Sequence, residues 1–517
     1  MNFTQKFPRG PSERIFAMRT DGYKPSHWLF YEPGIQQMYD YLCSRGGLFD
    51  KLTFFGAQAM AMKYLCGRVI TPDQVRRARK KYARYYGQDG IFNYAGWMDI
   101  AERLEGRLPL ELWALPEGLT DVPVQTPMMA YFNIDPKYDF VAQDLQNGVW
   151  PMGDPTHAFL PGYLEPLNFK VWNPITVCSL SNHIKRVIYD FLVKTGTPSD
   201  IIWKLHDFGY RGVSSEESAE IAGAAHLVNF WGTDTVPSLD YVNEFYSNGE
   251  FDEDGDPTYC AGYSVRATEH SVMTQKGRQG ERDVVRQILQ ACPNGIIAMV
   301  GDSFNIFEFS DMIGSEFHPI VCEREGIVVI RPDSGEPIPT MMKVNWHLGE
   351  KFGYTVNAKG YRIFGKESDR SLGKVKTLQG DKNDYDAVYN MCRAYEGAKW
   401  SLDNLATFGM GGALLQASTR DTQKMKIALS SYVDKDGLWH DVNKDPITDP
   451  GKYSKAGRFA VVRENGEIVT KILKNGDPIP AGNLLRPIYR FGEMLVHDKF
   501  ETVRARANEW MTQEKTA

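Results

Sequence analysis

Between about Asn173 and Leu415, short apolar or β-branched runs end in polar, glycine-containing loops, and helical patterns often follow. Ile201–Leu205 runs into His206-Asp-Phe-Gly-Tyr-Arg211, Val228–Phe230 into Gly232-Thr-Asp234, and Ile296–Val300 into Gly301-Asp302. Further on, Ile327–Ile330 leads to Arg331-Pro-Asp-Ser-Gly335, Val375–Leu378 to Gln379-Gly-Asp381, and Leu405–Phe408 to Gly409-Met-Gly-Gly412. Ser214-Ser-Glu-Glu217 reads as a capping box opening a helix through about Leu227, and Asp384–Ala398 as an amphipathic helix. Alternating strand and helix predict parallel strands. Polar residues repeated at strand C-terminal ends predict a barrel or doubly wound sheet with its site on that face. The number of units favours an irregular α/β barrel over residues 173–419.

The two ends, residues 1–172 and 420–517, have more turns and antiparallel-looking segments. Ala460–Lys471 is one, with Asn465-Gly466 as a hairpin signal. These ends are expected to form a flanking, mainly antiparallel sheet domain together. The basic run Gln74–Tyr86 interleaves aromatics and invites a nucleic-acid reading. Thr71-Pro-Asp-Gln74, however, begins it as a capped helix with proline at its first position, which favours a solvated helix face.

Composition narrows the class. A chain of 517 residues exceeds what one hydrophobic core usually serves, which fits two domains. A hydrophobic fraction of 42% and a charged fraction of 24% are those of a globular protein. A net charge of −6 argues against coating nucleic acid but leaves room for a local basic pocket. The 7 cysteines are scattered, without a CxxC pair, which fits a reducing compartment and offers no zinc site. Met1–Arg19 lacks an apolar leader, and no apolar run reaches the roughly 18 residues of a membrane span, so a soluble, cytoplasmic protein is expected. The acidic stretch Glu250–Asp256 lacks the EF-hand register and reads as a solvent loop.

The strand-end residues form an inventory. Asp302, Asp333 and Asp381 are carboxylates, Arg211, Arg331 and Arg420 guanidiniums, and Gly380, Gly409, Gly411 and Gly412 offer bare backbone amides. Carboxylates suit Mg²⁺, which takes a few of them plus phosphate oxygens and water. Arginine matches phosphate bidentately, and glycine turns aim several N–H groups at one phosphate. Singly, each such residue reads as a cap or turn. Repeated at successive strand ends, they point to a substrate with several phosphates and a ribose.

The chain is recognisable from several long motifs in order. They are His206–Ser215, Gly232-Thr-Asp-Thr235, Gly262-Tyr-Ser-Val265, Glu269-His-Ser271, Arg331–Gly335 and Gln379-Gly-Asp381. With weaker similarity from Thr20-Asp-Gly-Tyr-Lys24 to Ser454-Lys-Ala-Gly-Arg458, the chain resembles the nicotinamide phosphoribosyltransferases of the type II phosphoribosyltransferase family. The resemblance implies transfer of phosphoribose from phosphoribosyl pyrophosphate to nicotinamide in NAD salvage, with Mg²⁺, and stimulation by ATP through a phosphohistidine. It also implies a homodimer with shared active sites.

Residue by residue, it implies that Phe208 stacks on the nicotinamide ring and that Tyr23 of a second subunit stacks on its other face. Asp234 would accept from the carboxamide and so choose amide over carboxylate. Arg211 and Ser264 would line the same pocket. His270 would be the phosphorylated histidine, a role suited to neutral imidazole. Asp302 and Asp333 would stand near Mg²⁺ and the ribose hydroxyls. Arg331, Gly380, Asp381, Gly411 and Gly412 would surround the ribose and 5′-phosphate. Arg45, Arg420, Lys444 and Lys452 would form a basic set on the phosphates.

Three positions depart from the family pattern. Lys376, counted with the phosphate-binding set, stands where relatives have arginine. Leu429 stands where a phosphate-binding lysine is expected, and Ala413 interrupts a third glycine. Two rivals are a nicotinate phosphoribosyltransferase, against which Asp234 argues, and a non-catalytic nucleotide-binding signalling protein. His270, Asp234, Asp302 and Asp333 together argue against the latter.

Overall fold

Seven strands follow one another through the middle of the chain, and all of them pair in parallel. They are β1 (Leu205–Asp207), β2 (Gly232–Thr233), β3 (Arg266–Ala267), β4 (Asn294–Val300), β5 (Glu325–Arg331), β6 (Val375–Gln379) and β7 (Leu405–Met410). The computed structural model describes residues 14–138, 142–247 and 249–513. Most of the Met1–Arg19 stretch read for a leader lies outside them.

The strands lie in the order β2-β1-β7-β6-β5-β4-β3. The segment leading into β3 returns to the opposite edge, where Gly232 and Tyr263 form a parallel bridge. There Tyr263 N–H donates to Trp231 O at 2.7 Å and Thr233 N–H to Tyr263 O at 3.0 Å. The sheet's two edges thus meet along one segment, and the sheet curls into an irregular barrel.

Alternation along the strands assigns the faces. Ala298, Val329 and Leu378 pack together with Phe208, Ile327 and Ala406 inside the bore. Thr377 faces outward, its hydroxyl 2.9 Å from that of Tyr395 on the helix Tyr385–Gly397. Asp384 caps that helix, accepting from Ala387 N.

Two expected strands moved. Ile201–Leu205 was read as one run, but Pro198–Trp203 is a 3₁₀ helix and β1 starts only at Leu205. Pro198 presets the first helical φ and has no N–H to give a sheet. Val228–Phe230 is a helix end, with Asn229 and Phe230 N–H both returning to His226 O. The strand it was expected to form lies at Gly232–Thr233. The helix Glu216–Leu227 is capped one residue later than expected, by Ser215 accepting from Ser218 N.

The chain divides into two compact units, Met1–Thr176 with Thr419–Glu509, and Val177–Ser418 with Trp510–Ala517. The first unit carries an antiparallel sheet of seven strands drawn from both chain ends. In spatial order they are Trp439–Asp441, Met425–Val433, Gln37–Ser44, Met129–Asn133, Leu110–Ala114, Arg486–Arg490 and Glu493–Met494. Its core gathers Trp113, Tyr39, Phe132 and Trp97 among other fully buried side chains.

Arg458–Glu464 and Glu467–Leu473 form the expected hairpin, with Asn465 at φ 52° and Gly466 at φ 84°, the geometry of a type I′ turn. The helix Pro72–Tyr86 opens on Thr71 with both capping-box bonds present. Its buried residues are Val75, Ala78 and Tyr82, and most of its basic side chains face outward. Among the described residues, no helix is long and apolar enough to cross a membrane.

Candidate active site

The barrel's strand ends bring two groups of predicted residues together. At the first, β1 and β2 lie side by side, with His206 opposite Gly232 and Asp207 opposite Thr233. His206 therefore points to the face that also carries Phe208, and their rings lie 5.1 Å apart. His206 Nε2 stands 2.9 Å from Asp234 Oδ1, and Ser264 Oγ donates to the same oxygen at 2.5 Å. Oδ2 of Asp234 has no hydrogen-bond partner among the described residues, and the side chain is half-exposed.

Burial opposes ionisation of Asp234, but the His206 hydrogen bond and charge, the Ser264 hydroxyl and the field of Arg331 outweigh it. They hold this carboxyl below the usual range. Asp234 does not cap the following helix, Pro237–Tyr246, whose N-cap is Val236. Its Oδ2 is therefore not taken up by a cap.

Phe208 is held from below. Its N–H donates to Met410 O at 3.0 Å, and Asp207 Oδ1 accepts Gly209 N–H at 2.7 Å, which shapes the turn that presents the ring. Gly409 lies directly against the ring. A Cβ there would come within 1.9 Å of the Phe208 Cε2. Glycine at this position is a requirement of close approach. Arg211 follows in an exposed 3₁₀ turn, Tyr210–Gly212.

The second group stands at the ends of β4, β5 and β6. His270 Nε2 lies 3.1 Å from Asp302 Oδ1, and Asp302 Oδ2 accepts Asp333 N–H at 3.1 Å. Arg331 Nε is 3.7 Å from Asp333 Oδ1. Gly380 comes so close that a Cβ would meet Arg331 Cδ and Asp333 Oδ1, both at 3.3 Å. Asn383 ties the two glycine turns together, its Nδ2 donating to Gln379 O at 2.8 Å and Gly409 O at 2.7 Å. Asp381 follows Gly380 directly and accepts Gln379 Nε2 through its carbonyl at 2.7 Å. Gly411 backs onto Phe208 O, and Gly412 opens the short helix Gly412–Leu415.

Lys376 does not join these groups. It is the second residue of β6, four before Gly380, and so roughly 13 Å down the strand from that loop. Its neighbour there is Lys204, whose ammonium is buried against the carbonyls of Leu402 and Leu405. Burial, reinforced by Lys376, pushes Lys204 down to about 7.

The remaining predicted residues belong to the flanking unit. Tyr23 is an exposed ring at the start of the 3₁₀ helix Lys24–Leu29, which is pinned by a Lys24–Glu165 ion pair. Arg45 and Lys444 approach Lys426. Lys452 pairs with Asp449 at 3.0 Å, and Arg420 with Asp421 at 3.0 Å, both on the surface.

Sequence reasoning missed His206 and Asn383. For His206 a signal was present, since it lies two residues from Phe208 on the same face of β1. Asn383 holds two turns that are distant in sequence, and nothing local marks it.

A cation at these strand ends would be held by Asp302 and Asp333. Both Asp302 oxygens already accept hydrogen bonds, and Asp333 is partly open. Such a donor set fits Mg²⁺ that arrives with substrate phosphates better than a cation caged by protein alone. Among the described residues, no cluster of three metal-ligating side chains is present.

Comparison with known proteins agrees with this geometry. Residues 203–493 match the nicotinate phosphoribosyltransferase (NAPRTase) family, and residues 15–112 the nicotinamide phosphoribosyltransferase N-terminal domain. A nicotinamide phosphoribosyltransferase of Xanthomonas campestris pv. campestris is 38% identical over 503 residues, covering 95% of this chain and 97% of the relative. One from Acinetobacter baylyi is 25% identical, covering 94% and 95%. The crystal structure of human nicotinic acid phosphoribosyltransferase shares the fold, with a TM-score of 0.51 at 14% identity over 96% of this chain and 94% of that one. With its strand-end acids, arginines and glycines on this barrel, the chain belongs to the nicotinate and nicotinamide phosphoribosyltransferase family and is a phosphoribosyltransferase.

Proposed function

We propose that this enzyme transfers phosphoribose from phosphoribosyl pyrophosphate to nicotinamide, giving nicotinamide mononucleotide and pyrophosphate in NAD salvage. The observation that carries the proposal is Asp234, an ionised carboxylate with one oxygen fixed by His206 and Ser264 and the other open. An open anionic acceptor beside an aromatic ring suits the NH₂ of a carboxamide and repels a carboxylate. The curated relatives named nicotinamide phosphoribosyltransferase support the same base.

In the reaction, the C1–O bond to pyrophosphate breaks through an oxocarbenium-like transition state, and the ring nitrogen of nicotinamide forms the new bond to C1. That nitrogen carries no proton, so the enzyme needs no general base. Phe208 and Asp234 orient the ring, Arg211 offsets the charge on the departing pyrophosphate, and Arg331 stands with the ribose and 5′-phosphate. Gly380, Asp381, Gly411 and Gly412 offer amides and a carboxylate to the 5′-phosphate and ribose. Asp302 and Asp333 would hold Mg²⁺, which neutralises pyrophosphate charge when bound.

The proposal extends to ATP as co-substrate. His270, held by Asp302 and half-exposed, is the residue to accept a phosphoryl group. It also extends to a cytoplasmic homodimer, in which a second copy supplies Tyr23, Arg45, Arg420, Lys444 and Lys452. The test is incubation with phosphoribosyl pyrophosphate, Mg²⁺ and nicotinamide, with mass identification of the nucleotide and measurement of released pyrophosphate. Equimolar nicotinamide mononucleotide and pyrophosphate, formed faster with ATP, is the expected result. Nicotinamide binding without release of pyrophosphate would overturn catalysis in favour of a silent binding protein.

A further inference from the structure

Two parts of the site stand on neighbouring strands. The loop after β6 carries Gly380 and Asp381, and β7 carries Gly409, against which the Phe208 ring lies. The two strands pair in parallel, Thr377 with Leu405, Leu378 with Thr407 and Gln379 with Phe408, and there the pairing stops. β6 ends at Gln379, whereas β7 runs on to Met410 beside β1.

Past that point one side of β7 has lost its neighbour. Phe408 N–H donates to Lys204 O and Met410 O accepts Phe208 N–H, both at 3.0 Å and both towards the chain of β1. Alternate residues of a strand turn their amides to opposite neighbours. The buried Gly409 between them therefore turns its C=O to the side that β6 has left. A buried carbonyl without a partner is costly. Asn383 Nδ2 fills the place, donating to Gly409 O at 2.7 Å and to Gln379 O at 2.8 Å from a buried side chain. One amide nitrogen thus holds the end of β6 to Gly409 where the ladder has ended.

The loop that Asn383 closes is tight. Gln379 Nε2 donates to Asp381 O at 2.7 Å, and Lys382, next to Asn383, takes φ 54°, a left-handed conformation uncommon for lysine. Lys382 Nζ donates to Gly335 O at 3.2 Å, which ties the loop to the one that carries Asp333. Movement of Gly380 is thereby resisted on the Asp333 side and, through Asn383, on the Gly409 side.

We propose that Asn383 is a positioning residue for glycosidic bond formation. It sets the distance between the acceptor ring stacked on Phe208 and the donor sugar held by the Gly380–Asp381 loop. Reacting atoms must stand about 3–3.5 Å apart, and a misplacement of about 1 Å costs on the order of 100-fold in rate. Asn383 touches neither substrate in this role, so either alone binds as before, and the step that needs both slows. The inference rests on the placement of base and sugar proposed above, not on which pyridine base is taken.

The test compares full-length wild type, Asn383→Leu and Asn383→Asp. Nicotinamide and phosphoribosyl pyrophosphate are titrated singly, and bond formation is read as the single-turnover rate of nucleotide synthesis. Leucine fills the space without a donor. Its rate is expected to fall roughly 10- to 100-fold, with each single-ligand Kd within about twofold of wild type. A rate within about twofold of wild type, or a loss that lies wholly in the binding of one substrate, overturns the assignment.

Asn383→Asp keeps the shape and tests the donated bond itself, whether or not the leucine variant folds. As a carboxylate it repels both carbonyl oxygens, whereas protonated it offers one O–H donor, and burial favours the protonated form. Its rate relative to wild type is expected to rise as pH falls from about 8 to 6. A ratio that stays constant over that range refutes the role. Should wild type turn over nicotinate rather than nicotinamide, the choice of base fails, and the same loss read with nicotinate leaves Asn383 in place.

Discussion

Replacing Gly409 with alanine adds a single methyl, and its effect follows from geometry. Gly409 lies in β7, where an alanine is acceptable to the backbone, so the perturbation is steric alone. The new Cβ would lie 1.9 Å from Phe208 Cε2, 2.4 Å from Cδ2 and 2.9 Å from Cζ, whereas ordinary contact begins near 3.4 Å. The ring must therefore move by about 1.5 Å, the difference between 3.4 and 1.9. Phe208 N–H stays tied to Met410 O, so the movement falls on the side chain. Loss of offset stacking costs roughly 0.5–1.5 kcal/mol, and misplacing a reacting group by about 1 Å can cost on the order of 100-fold. Gly409→Ala is expected to lower kcat/KM for nicotinamide roughly 10- to 100-fold, leaving the KM for phosphoribosyl pyrophosphate nearly unchanged. The assay is steady-state pyrophosphate release, with Phe208→Ala and the double variant completing a cycle. If the methyl acts through the ring, it does little further damage in the Phe208→Ala background. Full additivity, or a wild-type KM for nicotinamide in Gly409→Ala, would refute the reasoning.

Three further outcomes are expected. Asp234→Asn keeps Oδ1 as an acceptor for His206 and Ser264 but removes the charge. It should cost nicotinamide about 1.5–3 kcal/mol of transition-state binding and improve turnover of nicotinate, and an unchanged base preference would remove Asp234 from selection. His270→Ala should abolish ATP hydrolysis while slow ATP-independent synthesis continues, and undiminished ATPase activity would exclude it as the phosphorylated residue. Asp40→Asn tests the buried cluster behind the Tyr23 helix. Burial, then the Glu165 charge, raises Asp40 from 3.8 to about 7 against the pull of Lys24. The unfolded chain thus loses this proton first, and stability declines by up to about 4 kcal/mol between pH 4 and 7 before levelling. Urea midpoints of Asp40→Asn should lose that part of the decline, and identical pH slopes for variant and wild type would contradict it.

Features whose cause is local were legible in the sequence. The Thr71 capping box and the Asn465-Gly466 hairpin each depend on two to four adjacent residues. The repetition of acids, arginines and glycines after apolar runs marked one end of the barrel, because strand polarity puts every such loop there. Other features were set by contacts remote in sequence. Val228–Phe230 has strand-like composition, yet it closes a helix against His226 O. Lys376 stands just before the Gln379-Gly-Asp381 motif in the sequence, but the extended strand carries it four positions down from Gly380. Cys43 and Lys426 are brought opposite each other by one register of a sheet, which no local pattern encodes.

The central claim is that an open, ionised Asp234 selects the amide. Its most direct test is competition between nicotinamide and nicotinate at equal concentration for wild-type enzyme, with phosphoribosyl pyrophosphate and Mg²⁺, the two mononucleotides being separated and quantified. The account predicts nicotinamide mononucleotide in excess by roughly 100-fold or more, the product of a charged hydrogen bond gained and a charge repulsion avoided. Nicotinate mononucleotide as the main product would contradict it.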